Sequence, residues 1–293
     1  VAQHKRTRPR GFIEDWNPRQ QTLQLVESVQ AILDDNSDIL PLTLRQIFYM
    51  LVSRIGYEKT ERDYQRLCET MNKARRARLI SMFDIRDDGL RRENPHGWDS
   101  EESIIDVFKS YSTRFRLKRQ EDQPVHLMVW CEAGGMLPQL ARYCEEYGVS
   151  VLSSGGFDSV TSKHNLAAEV AQHNEVEILH IGDHDPSGVH IHNSLDEDLK
   201  AFVSHYGGRI NVTRLAVTPD QVAEMGLPTA PAKRTDNRAF EGLTTQAEAI
   251  PPKALRQIVR DAISDRIDWD IFNDVLAREE DIRASLSGKL ELL

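Results

Sequence analysis

Val176-Glu-Ile-Leu-His-Ile-Gly-Asp-His-Asp-Pro-Ser-Gly188 begins as a short apolar run and ends on two aspartates that flank a histidine, followed by proline and glycine. The run, Val176 to Ile181, has the length and composition of a buried strand. The residues after it read as a turn into a helix, with Asp185 as a candidate N-cap and Pro186 at the first helical position. Outward from this stretch, Val125 to Trp130, Val149 to Leu152 and Ile210 to Val217 are further short apolar runs. Helical patterns lie between them at Leu137 to Tyr147, Ser159 to Asn174 and Ser187 to Tyr206. Strands alternating with helices predict an α/β domain with a Rossmann-like parallel sheet. Ligands of such sheets collect at the carboxyl ends of the strands. Glu132 comes after the first run, beside Ala133-Gly134-Gly135, and Asp183 and Asp185 come after the third.

Three carboxylates at the mouth of one sheet make a hard oxygen site suited to Mg²⁺, with Mn²⁺ as an alternative. Helix capping accounts for Asp185 without a metal, but it accounts for neither Asp183 nor Glu132. The histidines His180, His184, His190 and His192 include an i, i+2 pair that faces different sides of a helix, which disfavours zinc. His184, between the two aspartates, is the one placed to meet a phosphate or a water. Cys68, Cys131 and Cys144 are odd in number and match no zinc or thioredoxin spacing, so they read as ordinary buried thiols.

The amino-terminal region reads as helices. Leu23, Val26, Val29, Ile32 and Leu33 recur at helical spacing from Gln20, and a second helix starts on Thr43 and carries Leu44, Ile47, Phe48, Leu51 and Val52 up to Gly56. A third begins near Thr60 and runs to Leu79, with Arg62, Arg66, Lys73, Arg75, Arg76 and Arg78 along it. Beyond it lie the apolar segment Ile80 to Ile85 and the turn Asp87-Asp88-Gly89. Three helices and a hairpin-like wing describe a winged helix whose third helix enters a DNA groove; a small helical bundle with a solvated basic face fits the same residues equally.

Charge divides along the same line. Residues 1–120 hold 22 Lys and Arg against 18 Asp and Glu, while residues 121–293 hold 15 against 28. The formal total of −9 therefore hides a basic half beside an acidic one, as in a polyanion-binding module joined to a carboxylate site, although acidity also serves solubility alone. The 293 residues, 40% hydrophobic and 28% charged, suffice for one large or two ordinary folded domains and exclude a low-complexity chain. No apolar run is long enough for a membrane span, and Val1 to Arg10 is basic and polar. A cytoplasmic protein is expected, nucleoid-associated if bacterial.

At Glu132, Asp183 and Asp185 the sequence resembles the Toprim domain of topoisomerases, primases and some nucleases, whose pattern is a glutamate after the first strand and Asp-x-Asp after a later one. The string Asp183-His-Asp-Pro-Ser-Gly188 is closer to the version in the topoisomerase VI A subunit and the related meiotic double-strand-break transesterase. Those proteins place a winged helix ahead of Toprim, with the nucleophile in an Arg-x-aliphatic-aromatic-Tyr motif. Arg45-Gln46-Ile47-Phe48-Tyr49 stands in that place. The resemblance covers most of residues 21–219 and is nearest to the short stand-alone relatives called Mini-A.

It implies an N-terminal tail (1–20), a winged-helix domain (21–118) and a Toprim domain (119–293) whose extension from residue 220 has no assigned catalytic role. It further implies Tyr49 as nucleophile with Arg45 as companion, Glu132 as a catalytic acid and metal ligand with Asp183 and Asp185, and Mg²⁺-dependent transesterification that leaves a 5′-phosphotyrosyl DNA end. The basic residues of the third helix and His184 would contact double-stranded DNA. A homodimer is implied, with the tyrosine of one subunit serving the metal site of its partner. A separate ATPase subunit would be needed for strand passage, since the chain has no Gly-rich nucleotide loop. Arg45 and Tyr49, at i and i+4, share a helix face, where a fixed positive charge favours phenolate. The competing expectations are a Toprim endonuclease that uses water and a DNA-binding adaptor without catalysis.

Overall fold

The computed structural model describes residues 12–86, 97–153, 160–232, 240 and 242–291. Helix α1 (Gln20–Asp35) buries Leu25, Val26, Val29, Ile32 and Leu33, one stripe at helical spacing. A two-residue strand, β1 (Leu42–Thr43), leads into α2 (Leu44–Ile55). Thr43 is the expected N-cap: its hydroxyl accepts from the Gln46 amide at 3.2 Å, and Gln46 Oε1 accepts from the Thr43 amide at 3.0 Å. Gly56 closes α2 at φ 67°, a left-handed conformation that glycine adopts without strain. Helix α3 (Glu61–Arg76) starts on Thr60, whose hydroxyl accepts from the Asp63 amide at 3.1 Å.

Two expectations for this region change. Helix α3 stops before Leu79, because Arg78 lies at φ 63°, where a right-handed helix cannot continue. The apolar segment Ile80 to Ile85, expected within a hairpin-like wing, is extended only at its end. The Phe83 amide donates to Ser81 Oγ at 3.1 Å, which turns the chain and leaves Phe83 exposed. Only β2 (Ile85–Arg86) is extended, and it pairs in parallel with β1, Ile85 beside Leu42. The turn Asp87-Asp88-Gly89, the start Val1 to Arg10 and Ser159 lie outside the described residues. Helix α4 (Glu101–Thr113) has no counterpart in the sequence reading, although Ile104, Val107, Phe108 and Tyr111 recur at helical spacing after the N-cap Ser100; its only buried residue is Ser112.

The parallel sheet occupies the middle of the chain. Strand β3 (His126–Cys131), helix α5 (Leu137–Cys144), β4 (Ser150–Ser153), α6 (Val160–Val170), β5 (Val176–Ile181), α7 (Pro186–His205) and β6 (Ile210–Ala216) alternate as expected, and the strands stand in the order β4-β3-β5-β6, all parallel. Successive residues point to opposite faces. Leu127, Val129, Cys131, Leu179 and Ile181 join one apolar mass with Leu140 and Tyr143 of α5, while Met128, Trp130, Val176 and Ile178 join a second with Leu166 of α6 and Leu195 and Leu199 of α7. Helix α5 thus covers one face, and α6 and α7 the other. Because β4 and β5 flank β3 on opposite sides, the order reverses between β3 and β5, and a crevice opens there at the carboxyl ends.

The rest of the chain comprises α8 (Pro219–Glu224), a short antiparallel pair β7 (Ala230–Pro231) and β8 (Leu243–Thr244), a tight turn Ala247–Ala249, α9 (Pro252–Ser264) and α10 (Trp269–Leu290). The first apolar mass is continuous through all of these regions: Leu51, Met71, Val129, Ile250, Val259 and Phe272 belong to it. Glu279 of α10, 1% exposed, accepts from Arg119 at 2.6 and 3.1 Å and from the Leu117 amide at 3.1 Å, and it also meets Arg283. Among the described residues no helix is long and apolar enough to cross a membrane.

Candidate active site

The crevice between β3 and β5 receives all three carboxylates read from the sequence. Glu132 continues β3, its amide bonded to the Ile181 carbonyl at 3.0 Å. Its Oε2 accepts weakly from the Asp183 amide at 3.4 Å, and Oε1 is buried without a hydrogen bond, 3.3 Å from Nε2 of the buried His180. Asp183 Oδ1 accepts from the Ala247 amide at 2.8 Å, and Asp185 Oδ1 caps α7 by accepting from the Gly188 amide at 2.7 Å. Capping is thus one role of Asp185, as the sequence allowed.

The backbone here is tightly held. A Cβ on Gly188 would lie 2.1 Å from the Asp183 carbonyl oxygen, a backbone atom, so that position needs glycine; one on Gly182 would lie 2.3 Å from Glu132 Oε1, so the Glu132 side chain would have to move. Arg214 of β6 donates to the carbonyls of Gly182 at 3.1 Å, Asp183 at 2.5 Å and Gly188 at 3.2 Å, which ties the Asp183 loop to the sheet.

Burial raises the carboxyl of Glu132 to about 7; the negative charge of Asp185 adds to this, while the Asp183 amide and Arg214 oppose it. Burial also raises Asp183 to about 6, with Glu132 and Asp185 adding to the shift and the Ala247 amide and Arg45 opposing it. His180 is lowered to about 3 by burial and by Arg214, so it is neutral. Among the described residues no three or more His, Cys, Asp or Glu side chains are grouped so that they could hold a metal ion. An unbonded buried carboxylate oxygen beside two mutually repelling acids is nevertheless the donor chemistry that fits a hard divalent cation.

Helix α2 reaches this crevice through the extension. Tyr49 is 6% exposed, and its hydroxyl donates to Gln246 Oε1, which also accepts from Arg45 at 2.9 Å. Glu248 accepts from the Thr43 hydroxyl at 3.2 Å and lies 3.8 Å from Arg45 Nε. Burial holds the Tyr49 phenol well above its ordinary range; the Arg45 charge opposes this, and Asp183 and Glu248 reinforce it. The Lys59 ammonium stands 5.5 Å from the centre of the Tyr49 ring and donates to the Pro228 carbonyl at 3.0 Å. Two clefts meet at Tyr49, Lys59 and Gln246. One, of about 330 Å³, is lined also by Arg45 and Tyr64, and the other, of about 270 Å³, by Asp185, Ser187 and Thr245.

The basic residues of α3 are only partly gathered. Arg62, Arg66 and Lys73 are exposed and share one face at helical spacing. Arg76 is half-buried and donates to Asn72 Oδ1 at 2.9 Å, and the exposed Arg78 places its guanidinium 4.5 Å from the Phe12 ring. Arg75 is 8% exposed and stands apart from that open face. His184 pairs with Thr245 through both backbone groups, at 2.8 and 3.0 Å, and its half-buried ring lies beside Phe240.

Sequence reading missed Lys59, Arg214, Gln246 and Glu248. Arg214 carried a readable signal, a charged residue within a strand otherwise expected to be buried; the other three sit in loops without periodicity. Comparisons with protein-family models, curated proteins and solved structures return no match.

Proposed function

We propose that this chain is a Mg²⁺-dependent DNA-cleaving transesterase of the type its motifs resemble, with a winged-helix-like module formed by α1–α3, β1 and β2 ahead of a Toprim-like sheet. One observation carries the reading: a single turn of the extension bonds Tyr49 and Arg45 on one side and Asp183 on the other, and Tyr49 lines the same cleft as Asp185.

In this reading the exposed face of α3 sets double-stranded DNA by its phosphates, which confers position but little sequence choice. Tyr49 Oη attacks phosphorus, the P–Oη bond forms and the P–O3′ bond breaks. The phenol proton passes to water, and the departing 3′ oxygen takes one from water. The product is a 5′-phosphotyrosyl end, and because the ester linkage is kept, attack by the 3′ hydroxyl reverses the step. Arg45 offers the positive charge that favours phenolate against the burial that opposes it. Glu132, Asp183 and Asp185 would hold the cation. When bound, it supplies charge stabilisation to the phosphate oxygens. A homodimer that cuts both strands and a separate ATPase subunit belong to the same proposal.

A second reading, hydrolysis by water at the same carboxylates, is favoured by the burial of Tyr49 and by its hydroxyl being already donated. Incubation with end-labelled duplex DNA and Mg²⁺ or Mn²⁺, followed by a denaturing gel, separates the two. Transesterification leaves protein attached to 5′ ends, and Tyr49→Phe abolishes the adduct. Cleavage that persists in Tyr49→Phe with no attached protein establishes the hydrolytic reading instead.

A further inference from the structure

The left-handed Arg78 turns the chain out of α3 into a tip, Leu79-Ile-Ser-Met-Phe-Asp-Ile85, that is anchored at both ends. Ile80 and Ile85 are buried, the Leu79 amide donates to the Ala74 carbonyl at 3.0 Å, and the Asp84 carbonyl accepts from the Leu42 amide at 3.0 Å. Between these anchors the Ser81 hydroxyl accepts from the Phe83 amide at 3.1 Å and closes a tight turn. The tip is therefore an apolar point on a fixed base. Met82 is 42% exposed and Phe83 87%, and among the described residues no other large apolar side chain is as open as Phe83.

Its surroundings are cationic. Lys73 and Arg78 are exposed at the same end of α3, and Arg62 and Arg66 extend the exposed basic face toward the other end of the helix. A stable protein partner covers about 800 Å² per side, whereas one phenylalanine backed by one methionine offers a point of side-chain width. That shape fits the gap between two base pairs. We infer that Phe83, backed by Met82, is a wedge that enters the base stack of a duplex held by α3, which rests on the DNA-binding part of the proposed function and deepens it. Apolar wedges of this kind unstack one base step and kink the duplex by about 20–90° toward the major groove. Phosphate contacts from α3 carry no sequence information, so site choice would come from the kink: pyrimidine–purine steps such as TA open readily, and A-tracts are stiff.

Two duplexes of equal length test this, one with a central TA step and one with a central A-tract, each carrying a fluorescent adenine analogue at the centre and a dye pair at its ends. Binding of the full chain without divalent cation, so that no strand is cut, should brighten the analogue and draw the ends together on the TA duplex. Phe83→Ala should remove both signals and weaken that complex by about tenfold. The slope of log K against log salt and the affinity for the A-tract duplex should stay unchanged. Phe83→Leu, which keeps an apolar wedge, should recover most of the bend. Because Phe83 is exposed, both variants should melt with the unaltered chain.

Unaltered bending and affinity in Phe83→Ala overturn the wedge and leave DNA binding by α3 in place. Failure of the unaltered chain to bind either duplex overturns the DNA-binding reading and the wedge with it. A change from dimer to monomer on Phe83→Ala, read by sedimentation without DNA, assigns the tip to a contact between copies and also overturns the wedge.

Discussion

The amide of Ala247 donates to Oδ1 of Asp183 across 2.8 Å, between residues 64 positions apart in the chain. This bond favours the ionised carboxylate, against burial and two neighbouring acids that favour the protonated one. Asp183 and Glu132 consequently ionise only near neutral pH.

That balance gives the protein a distinctive pH dependence. Both groups bind protons more tightly folded than unfolded, so their contribution to stability is fully present below the ordinary carboxylate range and is lost as pH rises through about 6 for Asp183 and about 7 for Glu132. For Glu132, moved from 4.5 to about 7, the loss is on the order of 3 kcal/mol. A divalent cation requires the ionised forms. Thermal melts should therefore show Mg²⁺ raising Tm more at pH 8 than at pH 5.5, and Asp183→Asn should abolish most of that difference.

Gly188→Ala places a methyl group 2.1 Å from a backbone oxygen, which cannot swing aside as a side-chain tip would. The Asp183 loop must shift, and Arg214 with it. The expected cost is about 1–3 kcal/mol in urea unfolding, together with loss of cleavage at saturating Mg²⁺.

Glu279 is a purely structural acid of opposite sign. Burial works to raise its carboxyl, but the hydrogen bonds of Arg119 and the Leu117 amide, with the charges of Arg119 and Arg283, hold it below the ordinary range. Its contribution is present above its unfolded value and lost as pH falls. Glu279→Ala strands a buried guanidinium and should cost about 3–5 kcal/mol by chemical denaturation.

On α3, Arg62→Gln, Arg66→Gln and Lys73→Gln should each weaken duplex binding uniformly across sequences and reduce the slope of log K against log salt by about 1. Arg75→Gln should leave that slope unchanged and lower Tm instead, because Arg75 is buried.

The sheet was legible because its strands are short apolar runs between helical patterns, and the three acids were legible because they sit directly after those runs. Thr43 and Asp185 likewise announce helix starts through local chemistry and cap as expected, and Thr60, near which the third helix was expected to begin, also caps it. Helix α4 was legible through Ser100 and the spacing of Ile104, Val107 and Tyr111 but was overlooked, whereas the end of α3 depends on one left-handed arginine that no pattern reveals. The largest omission was Gln246, which matters only because a turn far along the chain returns to Tyr49.

The apolar mass shared by Leu51, Val129 and Ile250 also bears on how such a protein evolves. A tyrosine-bearing segment welded in this way is not a cassette that recombination can lift out and graft beside another acidic crevice. Novelty in its lineage would have to arise by substitution along the seam, with both sides changing in step.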